Sequence, residues 1–134
     1  VATDRIAIYA GKANGLCPVG QGTLQTENPW AGVALFPLDG ETIRKSRHFL
    51  VYAMGRCTNT DRQWDGDKLI TYGEAPIIYE NVMGKLTVKS DFSGAEGWLL
   101  DSVGNRVNQI PTESAENGFA VTLGGGHMYE IIVK

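Results

Sequence analysis

The stretch Trp30-Ala31-Gly32-Val33-Ala34-Leu35-Phe36-Pro37-Leu38-Asp39-Gly40 decides the fold class. It follows the turn signal Asn28-Pro29, shows no helical period, and closes on Asp39-Gly40, a dipeptide suited to a tight hairpin turn. A strand that is apolar on both faces is expected inside a sandwich rather than on a half-wetted sheet. The chain then returns through Arg47 to Arg56, again apolar on both faces over Phe49 to Met54. These two segments are therefore expected as neighbours in one sheet.

Outward from this pair the pattern stays β. Seventeen glycines spread along the chain punctuate it, and no 3.6-residue period appears. Thr3 to Tyr9 alternates and reads as a first strand. Gly11 to Gly22 is rich in Gly, Asn and Pro, which predicts an irregular connection with one short strand inside it. Leu69 to Glu80 is broken by Gly73 and Pro76, so a bend is expected, with Pro76 at a strand start or edge where its missing donor is harmless. Pro76 to Tyr79 itself reads as a buried strand. Lys85 to Val88 alternates as a half-exposed strand. Glu96 to Asp101, Arg106 to Ile110, Gly118 to Leu123 and Met128 to Val133 complete a meander, with Gly124-Gly125-Gly126 as one of its hairpin turns. The expected fold is a single all-β domain over residues 1–134, a two-sheet antiparallel β-sandwich of jelly-roll or immunoglobulin-like type.

The composition sets bounds on function. At 134 residues, 43% hydrophobic and 20% charged, the chain can bury a core without staples. A net charge of −3 leaves no basic footprint for nucleic acid, and Arg44, Lys45 and Arg47 form the only small basic cluster. No run is long and apolar enough to span a membrane as a helix. The chain starts at Val1 rather than Met, which is expected of a processed protein or of a piece of a longer one, and we read it as the piece. Cys17 and Cys57 lack any zinc-ligand spacing; a single disulfide and two free thiols are both compatible with them.

Between the apolar segments lies Arg56-Cys57-Thr58-Asn59-Thr60-Asp61-Arg62-Gln63-Trp64-Asp65-Gly66-Asp67, read as a long polar loop with a tryptophan in its middle. A large aromatic held there is either a latch folded onto the core or a platform offered to a ligand. Motifs for an enzyme are missing: there is no GxSxG elbow, phosphate-binding loop, GxGxxG after a strand or HExxH. Asp61, Asp65, Asp67, Glu74 and Glu80 supply acids near the loop, and glycoside hydrolysis needs two of them held close, which sequence proximity does not establish. The same acids are oxygen ligands for a structural calcium near Asp65 and Asp67, yet the EF-hand pattern is incomplete, so no cofactor is expected. Carbohydrate binding needs less: sugar C–H faces stack on flat rings while hydroxyls pair with polar side chains. Trp64, Tyr72 and Trp30 are the candidate platforms, and Asn59, Asp61, Arg62 and Gln63 the candidate polar partners. Trp98 shares a strand face with Leu100 and reads as core.

Several runs carry a family likeness. Phe49-Leu50-Val51-Tyr52-Ala53-Met54-Gly55-Arg56 with Thr58-Asn59-Thr60 and Trp64, then Tyr72-Gly73-Glu74-Ala75-Pro76 and Glu80-Asn81-Val82-Met83-Gly84, resembles the C-terminal β-sandwich domain of multidomain glycoside hydrolases with a TIM-barrel catalytic part. Trp98-Leu99-Leu100-Asp101, Gly104-Asn105-Arg106-Val107 and Met128-Tyr129-Glu130-Ile131 are similar to its last hairpins, and Glu27 to Gly40 with Ser46-Arg47 to its opening strands. Cys57 stands where that family pattern leads one to expect a small residue such as Ala.

The resemblance implies an ancillary domain without a hydrolase's own acid and nucleophile. Such a domain is either a carbohydrate-binding module or a sandwich that braces the barrel. The expected function is thus non-catalytic binding of a plant polysaccharide, a β-glucan, xyloglucan or xylan, on behalf of an attached, secreted glycoside hydrolase; the alternative is a structural sandwich with no glycan of its own. Expected partners are the polysaccharide and the catalytic domain, with neither nucleic acid nor membrane among them.

Overall fold

The computed structural model describes all 134 residues, as an all-β chain of antiparallel sheets. In chain order the strands are β1 (Ala7–Lys12), β2 (Gly15–Val19), β3 (Gly22–Thr26), β4 (Trp30–Pro37), β5 (His48–Met54), β6 (Cys57–Thr60), β7 (Gln63–Asp65), β8 (Lys68–Thr71), β9 (Glu74–Tyr79), β10 (Gly84–Lys89), β11 (Ala95–Leu100), β12 (Arg106–Ile110), β13 (Thr112–Ala115), β14 (Gly118–Leu123) and β15 (Met128–Val133). A six-stranded sheet runs β1-β4-β5-β15-β11-β12, and a five-stranded sheet runs β13-β14-β10-β3-β2. Their inner faces meet in one core, which makes the fold a two-sheet antiparallel sandwich.

The core follows from alternation. Ala31, Val33 and Leu35 of β4 and Phe49, Val51 and Ala53 of β5 point inward from one sheet, against Leu24, Leu86, Val88, Phe119, Val121 and Leu123 from the other. Phe49 and Phe119 meet across the layers with ring centroids 5.8 Å apart. β4 and β5 are paired as expected, with Leu35 opposite Val51. Their connection is longer than a two-residue turn. It runs from Leu38 to Arg47, and the Asp39 carboxylate holds it by accepting the Arg47 N–H at 2.7 Å and the Glu41 N–H at 3.3 Å. Both faces of these strands are apolar for a reason other than a second covering layer. The outward side chains, Trp30, Phe36, Leu50 and Tyr52 among them, form an unlayered outer face on which Trp30 is 40% and Tyr52 37% exposed.

Several expectations are corrected. Thr3 to Ile6 is a closed turn, with Thr3 Oγ1 accepting the N–H groups of Arg5 and Ile6, so the first strand begins only at Ala7. The later strands do not form a simple meander, because the chain changes sheet from β12 to β13 and again from β14 to β15. Gly124-Gly125-Gly126 is therefore a crossover between sheets and not a hairpin turn. Trp98 does share a face with Leu100, but it is the outer one: its register partner Glu130 alternates with buried Tyr129 and Ile131, and the Arg106 guanidinium lies over its ring. Cys17 is buried, Cys57 is exposed, and both are free thiols.

The largest correction concerns the polar loop. Between β5 and β10 the chain leaves the sandwich as a hairpin arm, β6 pairing with β9 and β7 with β8 beyond them. Nothing is layered behind this ribbon. Pro76 to Tyr79, apolar enough to read as a buried strand, therefore stand exposed, with Ile77 at 63% and Ile78 at 52%. The expected bend is present. Asp61 and Gly73 both take positive φ, 56° and 74°, and a Cβ on Gly73 would overlap the Thr60 carbonyl oxygen. The β6–β9 register steps from Asn59 opposite Ile77 to Thr60 opposite Glu74, which leaves Ala75 and Pro76 as a bulge where proline costs no ladder bond.

Candidate functional site

The site is built at the root of the arm. Gly55 donates its N–H to the Glu80 carbonyl and Glu80 donates its own to the Arg56 carbonyl, both at 2.8 Å. A side chain at Gly55 would crowd the Glu80 Cβ, so glycine lets the two chains close here. Across this junction Arg56 grips the Glu80 carboxylate with two donors, Nη2 at 2.6 Å and Nε at 3.1 Å. The Arg56 hydrogen bonds hold the Glu80 carboxyl below its ordinary pKa and raise the guanidinium in return. Asn28 fixes the returning strand: its Nδ2 donates to the Asn81 carbonyl at 3.0 Å and its Oδ1 accepts the Met83 N–H at 2.8 Å.

Above this root lies a cleft of about 450 Å³, within the size range of small-ligand sites. Arg56, Glu80, Thr58, Ile78, Arg62 and Trp64 line it, with Cys57 and Tyr79. Trp64 sits in β7 and is 53% exposed. The Arg62 guanidinium lies 4.8 Å from the centre of its ring, a cation–π contact that covers one part of the indole. Tyr79 is braced from the other side. Its ring meets His127 edge-on at 4.5 Å, and His127 in turn meets Tyr52 on the six-stranded sheet at 5.8 Å.

Of the candidate platforms and polar partners singled out from sequence, the structure brings together only Trp64 and Arg62; Glu80, singled out as one of the acids near the loop, lines the same cleft. Tyr72, 75% exposed at the arm's bend, does not line the cleft. Trp30 lies on the outer face of the six-stranded sheet, in a shallow apolar depression of about 170 Å³ with Ile8, Tyr52 and Met54. Asn59 is half-buried opposite Ile77, Asp61 is exposed at the bend, and Gln63 is exposed opposite Thr71. Arg56, Thr58 and Ile78 were missed as site residues, and Glu80 was read only as one of several acids near the loop. Arg56 and Glu80 stand at opposite ends of the arm, and no local motif announces that they pair.

The polar groups of the cleft are two guanidiniums, one hydroxyl, one thiol, one phenol and one carboxylate, beside the Trp64 indole. Glu80 is the one carboxylate lining the cleft, and a carboxyl held ionised by a bidentate arginine is a poor proton donor at neutral pH. No group of three or more His, Cys, Asp or Glu side chains converges in a metal-holding cluster, Asp61, Asp65 and Asp67 included. A larger groove of about 600 Å³ crosses the five-stranded sheet past Gln25, Lys85 and Thr122. It presents amides, hydroxyls and the Glu27 carboxylate but no aromatic ring, and Lys85 there is paired with Glu113. Neither family models, nor curated proteins, nor solved structures match this chain.

Proposed function

We propose that this chain is a non-catalytic carbohydrate-binding module. The observation that carries the reading is Trp64, a half-exposed ring at the mouth of a cleft that also presents the hydrogen-bonding groups of Thr58, Arg56, Arg62 and Glu80. Sugars need that pairing of a flat apolar surface with polar side chains. The resemblance of the Phe49 to Gly84 region to hydrolase-associated sandwiches fits this reading and the bracing alternative alike. In it, the module belongs to a secreted glycoside hydrolase and holds it near a plant polysaccharide, a β-glucan, xyloglucan or xylan. That raises the effective substrate concentration without a part in bond breaking.

A second reading is favoured by a separate observation. Ile70, Ile77 and Ile78 on the arm are all more than half exposed, and branched aliphatic chains offer no flat face to a sugar ring. Such a patch suits a protein neighbour, here the catalytic barrel that the domain would brace.

Affinity electrophoresis separates the two. Migration of the domain through gels containing xyloglucan, mixed-linkage β-glucan or xylan is expected to slow for at least one polymer. Trp64→Ala is expected to remove that retardation, with affinity down by about 1 to 3 kcal/mol, and to leave the melting temperature nearly unchanged. Unchanged mobility in every gel favours the bracing domain.

A further inference from the structure

Resting on the carbohydrate-binding reading, we propose that the cleft beside Trp64 selects an anionic glycan, one whose sugars carry a carboxylate or a sulfate, and that Arg62 is the residue that selects it. The two arginines lining the cleft differ in their state. Arg56 is neutralised by Glu80 through two hydrogen bonds. Arg62 has no carboxylate within ion-pair distance, and its guanidinium makes no hydrogen bond to the protein; it lies over the Trp64 ring. The cleft therefore holds one uncompensated positive charge, with its planar fork of donors free. Asp61, Asp65 and Asp67, the acids nearest in sequence, do not line the cleft.

The energetic argument concerns what happens when a ligand arrives. A sugar held in the cleft against the part of Trp64 that Arg62 leaves open also lies beside Arg62, because both side chains line that cleft and the guanidinium carbon is 4.8 Å from the ring centre. Covering a cation without supplying an anion costs desolvation that hydroxyl groups repay only in part. A carboxylate or sulfate matches the guanidinium fork with two charge-assisted bonds and offsets that cost. Glu80 does not compete for Arg62, since Arg56 already occupies both of its oxygens.

The test uses the whole chain in affinity gels containing polygalacturonate, glucuronoxylan, a sulfated galactan, neutral arabinoxylan, xyloglucan or no polymer, at low and high salt. Wild type is expected to be retarded more strongly by an acidic polymer than by the neutral ones, and that excess is expected to shrink as salt rises. Arg62→Gln is expected to weaken that binding about 10-fold or more, the scale for a charged hydrogen bond, with Arg62→Lys recovering part of it and circular dichroism unchanged for both. Whether uronate or sulfate is the better partner is read from which acidic gel retards more strongly. Equal retardation by neutral and acidic polymers, still abolished by Trp64→Ala, overturns the anion selectivity while leaving the binding module intact. Retardation by acidic polymers that Arg62→Gln leaves unaltered also overturns it, since general charge attraction would then be the cause. No retardation in any gel defeats the carbohydrate reading itself, and this inference with it.

Discussion

Tyr129 shows how one polar atom can be placed in a core without loss. Its ring is fully buried, while its hydroxyl donates to the Gly126 carbonyl at 2.7 Å and accepts the Gly124 N–H at 3.0 Å. Those two bonds pin the crossover that carries the chain from the five-stranded to the six-stranded sheet. A Cβ on Gly126 would overlap Leu99, so the crossover is also packed tightly against β11. Tyr129→Phe keeps the ring and strands both backbone groups, which is expected to cost about 1 to 3 kcal/mol. Thermal unfolding should then show a melting temperature lower by roughly 3 to 10 °C. A drop below about 1 °C would mean that water reaches the crossover and replaces the hydroxyl. Burial raises the phenol's pKa, so the folded state favours the protonated form. The associated stability is complete below the ordinary tyrosine pKa near 10 and is lost as pH rises through the higher folded value.

The arm is an element whose stability is its own. It has two ladders, β6–β9 and β7–β8, joined at a bend where Thr60 Oγ1 donates to the Pro76 carbonyl at 2.7 Å and Thr71 Oγ1 accepts the Gly73 N–H at 3.2 Å. None of its residues belongs to the buried core. Gly73→Ala would force a Cβ into the left-handed region and against the Thr60 carbonyl, costing about 1 to 2 kcal/mol locally. Hydrogen exchange is the readout: amide protection in β7 and β8 is expected to fall while β5 and β15 keep theirs. Equal loss in the core strands would show that arm and sandwich unfold as one unit. Because Trp64 and Arg62 ride on this ribbon, and the new Cβ would also press on the Arg62 backbone, the same variant is expected to weaken any ligand of the cleft.

At the scale of the whole molecule, charges on the outer surface set how the sandwich responds to acid. Glu130 in β15 joins β5 and β12, accepting from Arg106 Nε and lying 2.8 Å from His48 Nε2. Its carboxyl is held below the ordinary value first by the Arg106 hydrogen bond and then by His48. Glu80 is lowered by Arg56, and Asp101 by the Asn105 backbone and side chain in the β11–β12 turn. Each group binds fewer protons folded than unfolded, so each contributes stability that is complete above pH ~4.5 and lost as pH falls through its folded pKa. The melting temperature is expected to be level between about pH 5 and 7 and to decline below about pH 4.5. Glu130→Gln should flatten that acid limb, because it removes the one among these groups that ties three strands together. An acid limb equally steep in the variant would place the proton uptake elsewhere.

Much of the fold was legible because burial on one side of a strand writes itself as alternation. β4, β5, β10, β12, β14 and β15 follow the segments read from sequence closely, and β4 and β5 pair as expected. The exposure of Trp64 was only half legible: a tryptophan in a polar segment is either latched onto the core or offered outward, and the structure leaves it outward at 53%. The arm was not, because Ile77-Ile78-Tyr79 has the composition of a core strand, and composition does not record whether a second layer lies behind. Trp98 failed for a related reason: alternation sorts residues into two faces without saying which face is inside. The sequence by itself determined an all-β chain, its main strands and the residues able to stack or hydrogen-bond. Only the tertiary structure decided which sheet each strand joins, that Arg56 closes on Glu80 across the arm, and that Trp64 shares its cleft with Arg62 rather than with Tyr72 or Trp30. Such contacts join residues by their positions in space, and a period of two along the chain carries no information about them.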